Sequence, residues 1–298
     1  GVAASDGGGT TRIVGGAQDN GTPLKAGTAN WRDIYGGDGG VVAIDPDDSR
    51  ILYGEYVNLQ IFRSKDGGAP WPAEIDKPSA PGIGQIADSR SGNTALFIAP
   101  FILDPNNSNT MLAGGASLWR SVNVRTAFSM PTWSAIKPPH APEGATELIS
   151  AIAVAPGNSD VIWIGHERGT LFKTTNGTSA SPVWTPITWP QQPTSTGNYL
   201  TRIVFDPNSF QVVYVTYGGF APNRVWKTTD GGATWSALTG TGQDALPEVP
   251  VRAFAVHPLQ PSILYAGPEV GIFASEDGGG HWGVPADGPA NVSIDQLV

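Results

Sequence analysis

The chain has 298 residues, among them 39 glycines, 26 prolines and 10 tryptophans, with 14% charged residues and a formal net charge of −9. So many turn formers beside so many large apolar rings describe a folded chain with frequent turns rather than a disordered one. No apolar run approaches the roughly 18 residues of a membrane span. The acidic balance opposes nucleic acid as the main partner, because that affinity comes from neutralising phosphates. The absence of cysteine excludes disulfides and thiolate chemistry, and four scattered histidines argue against a zinc site, so no metal and no cofactor are expected. The opening Gly1–Ser5 is neither a start methionine nor a secretory leader, and reads as a mature product or a piece excised from a larger multidomain protein.

Taken in chain order, Arg12–Gly16 is predicted as a second strand and Trp31–Ile34 as a fourth. Five repeats follow. Each begins with an apolar strand ending in a turn at proline: Ile44-Asp45-Pro46, Leu103-Asp104-Pro105, Val154-Ala155-Pro156, Phe205-Asp206-Pro207 and Val256-His257-Pro258. The prolines are spaced by 59, 51, 51 and 51 residues. A second strand follows each turn (Ile51–Tyr53, Met111–Ala113, Val161–Trp163, Val212–Tyr214, Ile263–Tyr265), and then a third (Gln60–Arg63, Ser117–Arg120, Leu171–Lys173, Val225–Lys227, Ile272–Ala274).

The third strand runs into an octet. Ser64-Lys65-Asp66-Gly67-Gly68-Ala69-Pro70-Trp71 recurs as Thr228-Thr229-Asp230-Gly231-Gly232-Ala233-Thr234-Trp235 and as Ser275-Glu276-Asp277-Gly278-Gly279-Gly280-His281-Trp282, with looser copies ending at Trp133 and Trp184. In each octet a hydroxyl and a carboxylate can bond backbone N–H groups of a glycine turn, and the tryptophan packs beneath it. The structural set is therefore Ser64, Asp66, Trp71, Thr228, Asp230, Trp235, Ser275, Asp277 and Trp282.

Four short strands per repeat of about 50 residues is the arithmetic of a β-propeller blade. The predicted fold is all-β: a six-bladed propeller of four-stranded antiparallel blades, with seven blades as the alternative. The blades span approximately 1–40 plus 291–298, 41–96, 97–148, 149–199, 200–250 and 251–290. Val292–Asp295 is expected to supply the first strand of the first blade and so close the ring.

The octets resemble the Asp-box, or BNR repeat, of sialidase-like propellers. The wider pattern, with Gly15–Thr22, Gly36-Gly37-Asp38-Gly39-Gly40 and Ile44-Asp45-Pro46, is similar to bacterial secreted BNR-repeat proteins. The resemblance covers essentially the whole chain and implies the fold, an extracellular or periplasmic location, and boxes on the face opposite the ligand. It specifies no single activity. Sialidases carry Arg-Ile-Pro near the start and an arginine triad, whereas here Arg12-Ile13 is followed by Val14.

Connectivity places the octets and proline turns on one rim. The other rim receives the loops between second and third strands and the blade-to-blade connections. The candidate carboxylates there are Asp19, Asp38, Glu55, Glu167 and Glu269, and the candidate ligand contacts are Gln18, Asn20, Tyr56, His166, Arg168, Trp189, Tyr199 and Phe220. Carboxylates accept hydroxyl hydrogen bonds, and aromatic rings cover the apolar face of a sugar. The long loop Pro72–Thr94 could roof a cleft. The first reading is a non-catalytic recognition propeller binding a glycan or protein ligand. The alternative is a glycoside hydrolase acting on a neutral polysaccharide through two carboxylates.

Overall fold

The protein is described by a computed structural model covering residues 1–5, 11–27, 30–68, 73–74, 85–127, 130–190, 199–220, 222–289 and 291–298. It divides into two compact units, Gly1–Ile149 with Val298, and Ser150–Leu297.

The first unit holds three four-stranded sheets. They are built from β1 (Val2–Ser5), β2 (Arg12–Gly15), β3 (Thr22–Ala26) and β4 (Trp31–Tyr35); β5 (Val42–Ile44), β6 (Leu52–Glu55), β7 (Ile61–Ser64) and β8 (Ala73–Glu74); and β9 (Phe101–Asp104), β10 (Asn107–Gly114), β11 (Leu118–Ser121) and β12 (Ser134–Lys137). The second unit continues with β13 (Ile149–Ala155), β14 (Asn158–His166), β15 (Leu171–Thr174) and β16 (Thr185–Pro186), then β17 (Leu200–Asp206), β18 (Ser209–Tyr217), β19 (Val225–Thr228) and β20 (Ser236–Ala237). The last sheet is β21 (Val251–Val256), β22 (Leu264–Pro268) and β23 (Phe273–Ser275), with Gly283 bridged to Ala274 where a fourth strand would lie. Each strand pairs with its neighbour in sequence, so every sheet is an antiparallel meander.

One expectation is corrected. The first strand of the first sheet is Val2–Ser5, in register from Val2 opposite Gly15 to Ser5 opposite Arg12. Residues 291–298 form no strand. A hairpin partner a few residues away closes a far shorter loop than one at the opposite terminus, so the local pairing costs less chain entropy. The C-terminal segment lies elsewhere in the second unit: the Ile294 N–H donates to the Pro268 carbonyl at 3.2 Å, and Arg202 donates to the Asp295 carbonyl at 2.8 Å.

The core lies between consecutive sheets. In the first unit Val14, Leu24 and Ile34 pack with Val42, Ile44 and Leu52, while Tyr53, Ile61 and Phe101 join Met111 and Trp133. In the second, Trp163, Leu171 and Trp189 meet Phe205, Val215 and Tyr217, with Trp235 against them; Tyr214 and Val225 meet Phe254 and Trp282. Burying such rings contributes about 1.5–3 kcal/mol each.

The octets are tight, self-bonded turns. In the fifth sheet Thr228 Oγ1 donates to Asp230 at 2.8 Å and accepts from Gly232 N–H at 2.8 Å; Asp230 also accepts the amides of Ala233 and Thr234. Ser275 and Asp277 repeat this pattern with Gly279, Gly280 and His281. Ser64 likewise donates to Asp66 at 2.9 Å and accepts from Gly68. The paired glycines take the left-handed backbone that the turn needs, as at Gly231 (φ 68°) and Gly232 (φ 95°). Trp71, expected beneath the first octet, lies outside the described residues.

Candidate functional site

The octets occupy one end of each sheet. The loops β2–β3 and β6–β7, and the β4–β5 connection, therefore gather at the other end in the first unit. There the hairpin 17–21 is closed by the Ala17 N–H donating to the Gly21 carbonyl at 3.0 Å. Two further bonds tie it to the glycine loop 36–40. The Gly39 N–H donates to the Ala17 carbonyl at 2.9 Å, and the Asp19 N–H donates to Asp38 Oδ1 at 2.9 Å. Asp19 itself takes φ 62°, a left-handed conformation that aspartate tolerates better than most residues. Gln18, Asp19 and Asn20 are exposed at the tip, with Asn20 Nδ2 donating to the Gln18 carbonyl, and Asp38 is half-buried beside them.

The aromatic floor comes next. Tyr56 meets Tyr35 edge-on, at 6.3 Å between ring centres, and Tyr35 stacks on Phe62 at 3.9 Å. The Tyr56 ring also crosses Gly37, where a Cβ would come within 2.6 Å of the ring and φ is 81°. Only glycine fits both demands. The loop 36–40 is thus fixed by a ring on one side and by the 17–21 hairpin on the other.

Glu55 does different work from the expected one. It is fully buried. Its Oε1 accepts the Leu59 and Ala99 amides at 3.1 and 2.8 Å, and its Oε2 accepts the Val41 amide at 3.2 Å. Burial pushes its pKa up to about 8 against the opposing pull of those three amides. Glu55 is a fastener joining three chain segments, not a group on the surface, and the catalytic expectation for it is corrected.

Loop 85–99, held by Asn58 Nδ2 donating to the Ala95 and Leu96 carbonyls, brings Phe97 and Ile98 to the surface next to these segments. The Asn58 N–H bonds the Phe97 carbonyl at 3.0 Å. Phe97 and Ile98 both lie just beyond the Pro72–Thr94 loop expected to roof a cleft. An apolar dipeptide inside a turn-rich run was the available signal.

In the second unit the remaining candidates fall in separate places. His166 is buried, its ring edge-on to Phe172 at 5.6 Å. Trp189 is also buried, stacked on Tyr217 at 4.1 Å with its Nε1 donating to the Gly169 carbonyl at 3.1 Å. Both were expected as ligand contacts and are core groups instead, because each ring finds an aromatic partner inside. Between them in sequence, Glu167 is half-buried and Arg168 exposed. Glu269 accepts from Arg252 Nη2 at 2.6 Å, a surface pair worth little to stability. Tyr199 and Phe220 are exposed, and the Tyr199 carbonyl accepts the Gly218 amide at 2.8 Å. No cluster of metal-ligating side chains occurs among the described residues.

No family model matches the sequence. Two protein relatives are the probable oligoxyloglucan-reducing end-specific xyloglucanase of Neosartorya fischeri, 26% identical over 71% of this chain and 25% of its own length, and the xyloglucanase of Hypocrea jecorina, 27% identical over 75% of this chain and 29% of its own. The chain thus spans about a quarter of the relatives it matches. Among solved structures, the GH74 enzyme of Niastella koreensis matches 95% of this chain and 44% of its own, with TM-score 0.64 and 19% identity. The GH74 xyloglucanase of Xanthomonas campestris gives TM-score 0.65 at 18% identity, over 91% of this chain and 43% of its own. The Swd1 β-propeller domain of Myceliophteria thermophila gives TM-score 0.62 at 11% identity, over 97% of this chain and 87% of its own.

The sheets and these likenesses define the class: an all-β propeller fold. The relatives also overturn the first functional reading, a non-catalytic recognition propeller, since each is named as a polysaccharide-cleaving enzyme.

Proposed function

We propose that this chain contributes to a glycoside hydrolase acting on xyloglucan-type neutral polysaccharides, with Asp19 and Asp38 as its carboxylates. The observation that supports this most directly is the Asp19 N–H donated to Asp38 Oδ1, which draws two candidate carboxylates into one loop cluster beside Tyr56. The two carboxylates divide between them the work of general acid and of base or nucleophile. Tyr56 and Phe97 supply apolar faces for pyranose rings.

The reading carries the finer assignments with it: six blades, octets of the Asp-box type, and work outside the cell on a soluble or wall polysaccharide. The test is reducing-sugar release from xyloglucan by the protein and by Asp38→Asn and Asp19→Asn. Turnover that survives both substitutions sinks the assignment. The anomer of the product reads the pair: retention implies about 5–5.5 Å between carboxyl groups, and inversion about 6.5–9.5 Å.

A further inference from the structure

A cavity of about 520 Å³ opens in the second unit, between the β18–β19 loop and the segment 239–248. Its walls include Asn223, Arg224, Thr239, Thr241 and Glu248. They are held in place by their own bonds. Thr239 Oγ1 donates to Asn223 Oδ1 at 3.0 Å, and Trp226 Nε1 donates to the Asn223 carbonyl at 2.8 Å. Arg224 is 2% exposed and donates to the Gly218 carbonyl at 2.8 Å, while the Leu246 amide closes the far side on the Thr239 carbonyl at 2.7 Å.

The chemistry of these walls is selective. The volume lies in the usual range of small-molecule sites, roughly 300–1,000 Å³. A buried guanidinium and a carboxylate line the same space, so their charges offset and neither an anion nor a cation is favoured. Guanidinium donors, a carboxylate acceptor and threonine hydroxyls that do both suit adjacent hydroxyls on a ring. Phe220, 73% exposed, stands two residues before the cavity-lining Pro222.

We propose that this cavity is a binding site for a single neutral pyranose unit, with Glu248 and Thr241 receiving its hydroxyls and Arg224 donating to them. The ligand class rests on the carbohydrate reading above; the site is separate from the Asp19–Asp38 cluster in sequence and in unit. Glu248 also acts as the gate on charge. It repels a uronate that Arg224 alone would attract.

The experiment is titration of the whole 298-residue chain with D-glucose, D-xylose and D-glucuronate, followed by the indole N–H resonance of Trp226, whose bond to Asn223 sits on the cavity wall. The expected result is a saturable shift with the neutral sugars and a much weaker one with glucuronate. Glu248→Gln should weaken neutral-sugar binding about tenfold, the scale of one charge-assisted hydrogen bond, and strengthen glucuronate binding. Thr241→Val should weaken the neutral sugars alone. A resonance that no sugar moves overturns the proposal, as do affinities that neither substitution changes. Monosaccharides are not substrates for hydrolysis, so the two readings fail separately: loss of turnover with binding intact removes the hydrolase assignment only, and turnover without binding here removes this site only.

Discussion

Asp230 and Asp277 stand at the octet end of their sheets, and Asp38 and Glu55 at the opposite end of theirs. The octet aspartates are exposed, and each accepts bonds from its own turn, four or fewer residues away. These bonds hold both carboxyls well below the usual carboxylate range, the neighbouring Thr234 side chain being the largest cause for Asp230 and His281 for Asp277. Glu55 takes its partners from residues as distant as Ala99, and burial drives it the other way. Asp38 is bonded across 19 residues to a separate hairpin. Local self-bonding makes a repeated staple. Long-range bonding joins segments far apart in the chain, and it gives this end of the sheets a shape that a repeated turn does not have.

The largest effect expected from this contrast is on turnover. Asp38→Asn should lower xyloglucan hydrolysis by about 10²–10⁴-fold, the usual contribution of a positioned acid or base, with the melting temperature little changed. An octet substitution such as Asp66→Asn should leave kcat near normal. If the two variants lose activity equally, the functional distinction between the ends is wrong.

Next is stability at Glu55. Glu55→Ala leaves the buried Leu59 and Ala99 amides without their acceptor, which should cost about 3 kcal/mol in urea unfolding. The pH dependence has a definite sign. The folded pKa of about 8 lies above the ordinary 4.5, so the folded state holds the proton more tightly. That contribution is whole below about pH 4.5 and is lost as pH rises through 8. Stability should therefore fall over this interval, and Glu55→Gln should flatten the fall. A Glu55→Gln profile with the parent's slope would show that another group is titrating.

How much of this was legible beforehand divides along the same line. The octet hydroxyls, aspartates and glycines bond within five residues, so their spacing alone announced the turn. The strands entering them carried period and proline marks. Val2–Ser5 carried neither: its small residues resemble no other first strand, and the later motif Val292–Asp295 looked better by sequence while lying elsewhere. Glu55 read as a loop charge because none of its three amide partners is recognisable from sequence. His166 and Trp189 read as rim residues because Phe172 and Tyr217, which bury them, are ordinary strand positions until the sheets pack. Asp19 and Asp38 were both suspected, but their bond required the fold.

A smaller test lies within the octets. Ser275→Ala removes the acceptor of the Gly279 amide, at 2.8 Å, and should cost about 1 kcal/mol. Smaller still is the pair of His281 Nδ1 and Asp277 Oδ2, 2.5 Å apart and exposed. Asp277 raises the His281 pKa above 6.5, and His281 lowers that of Asp277 below 3.8. The raised histidine contributes stability that is lost as pH climbs through its folded value; the lowered aspartate contributes stability that is lost as pH falls through its own. Both are whole between 3.8 and 6.5, and each fades only beyond its own edge of that window. The difference in melting temperature between the protein and His281→Ala should accordingly peak near the middle of that window and shrink on either side. The octet of the fifth sheet is the internal control. Thr234 Oγ1 donates to Asp230 Oδ2 at 2.6 Å where His281 stands in the sixth, and a hydroxyl does not titrate. Thr234→Ala should lower stability without the upper edge of that window, so a bell in both variants would show that a group other than His281 sets the upper edge.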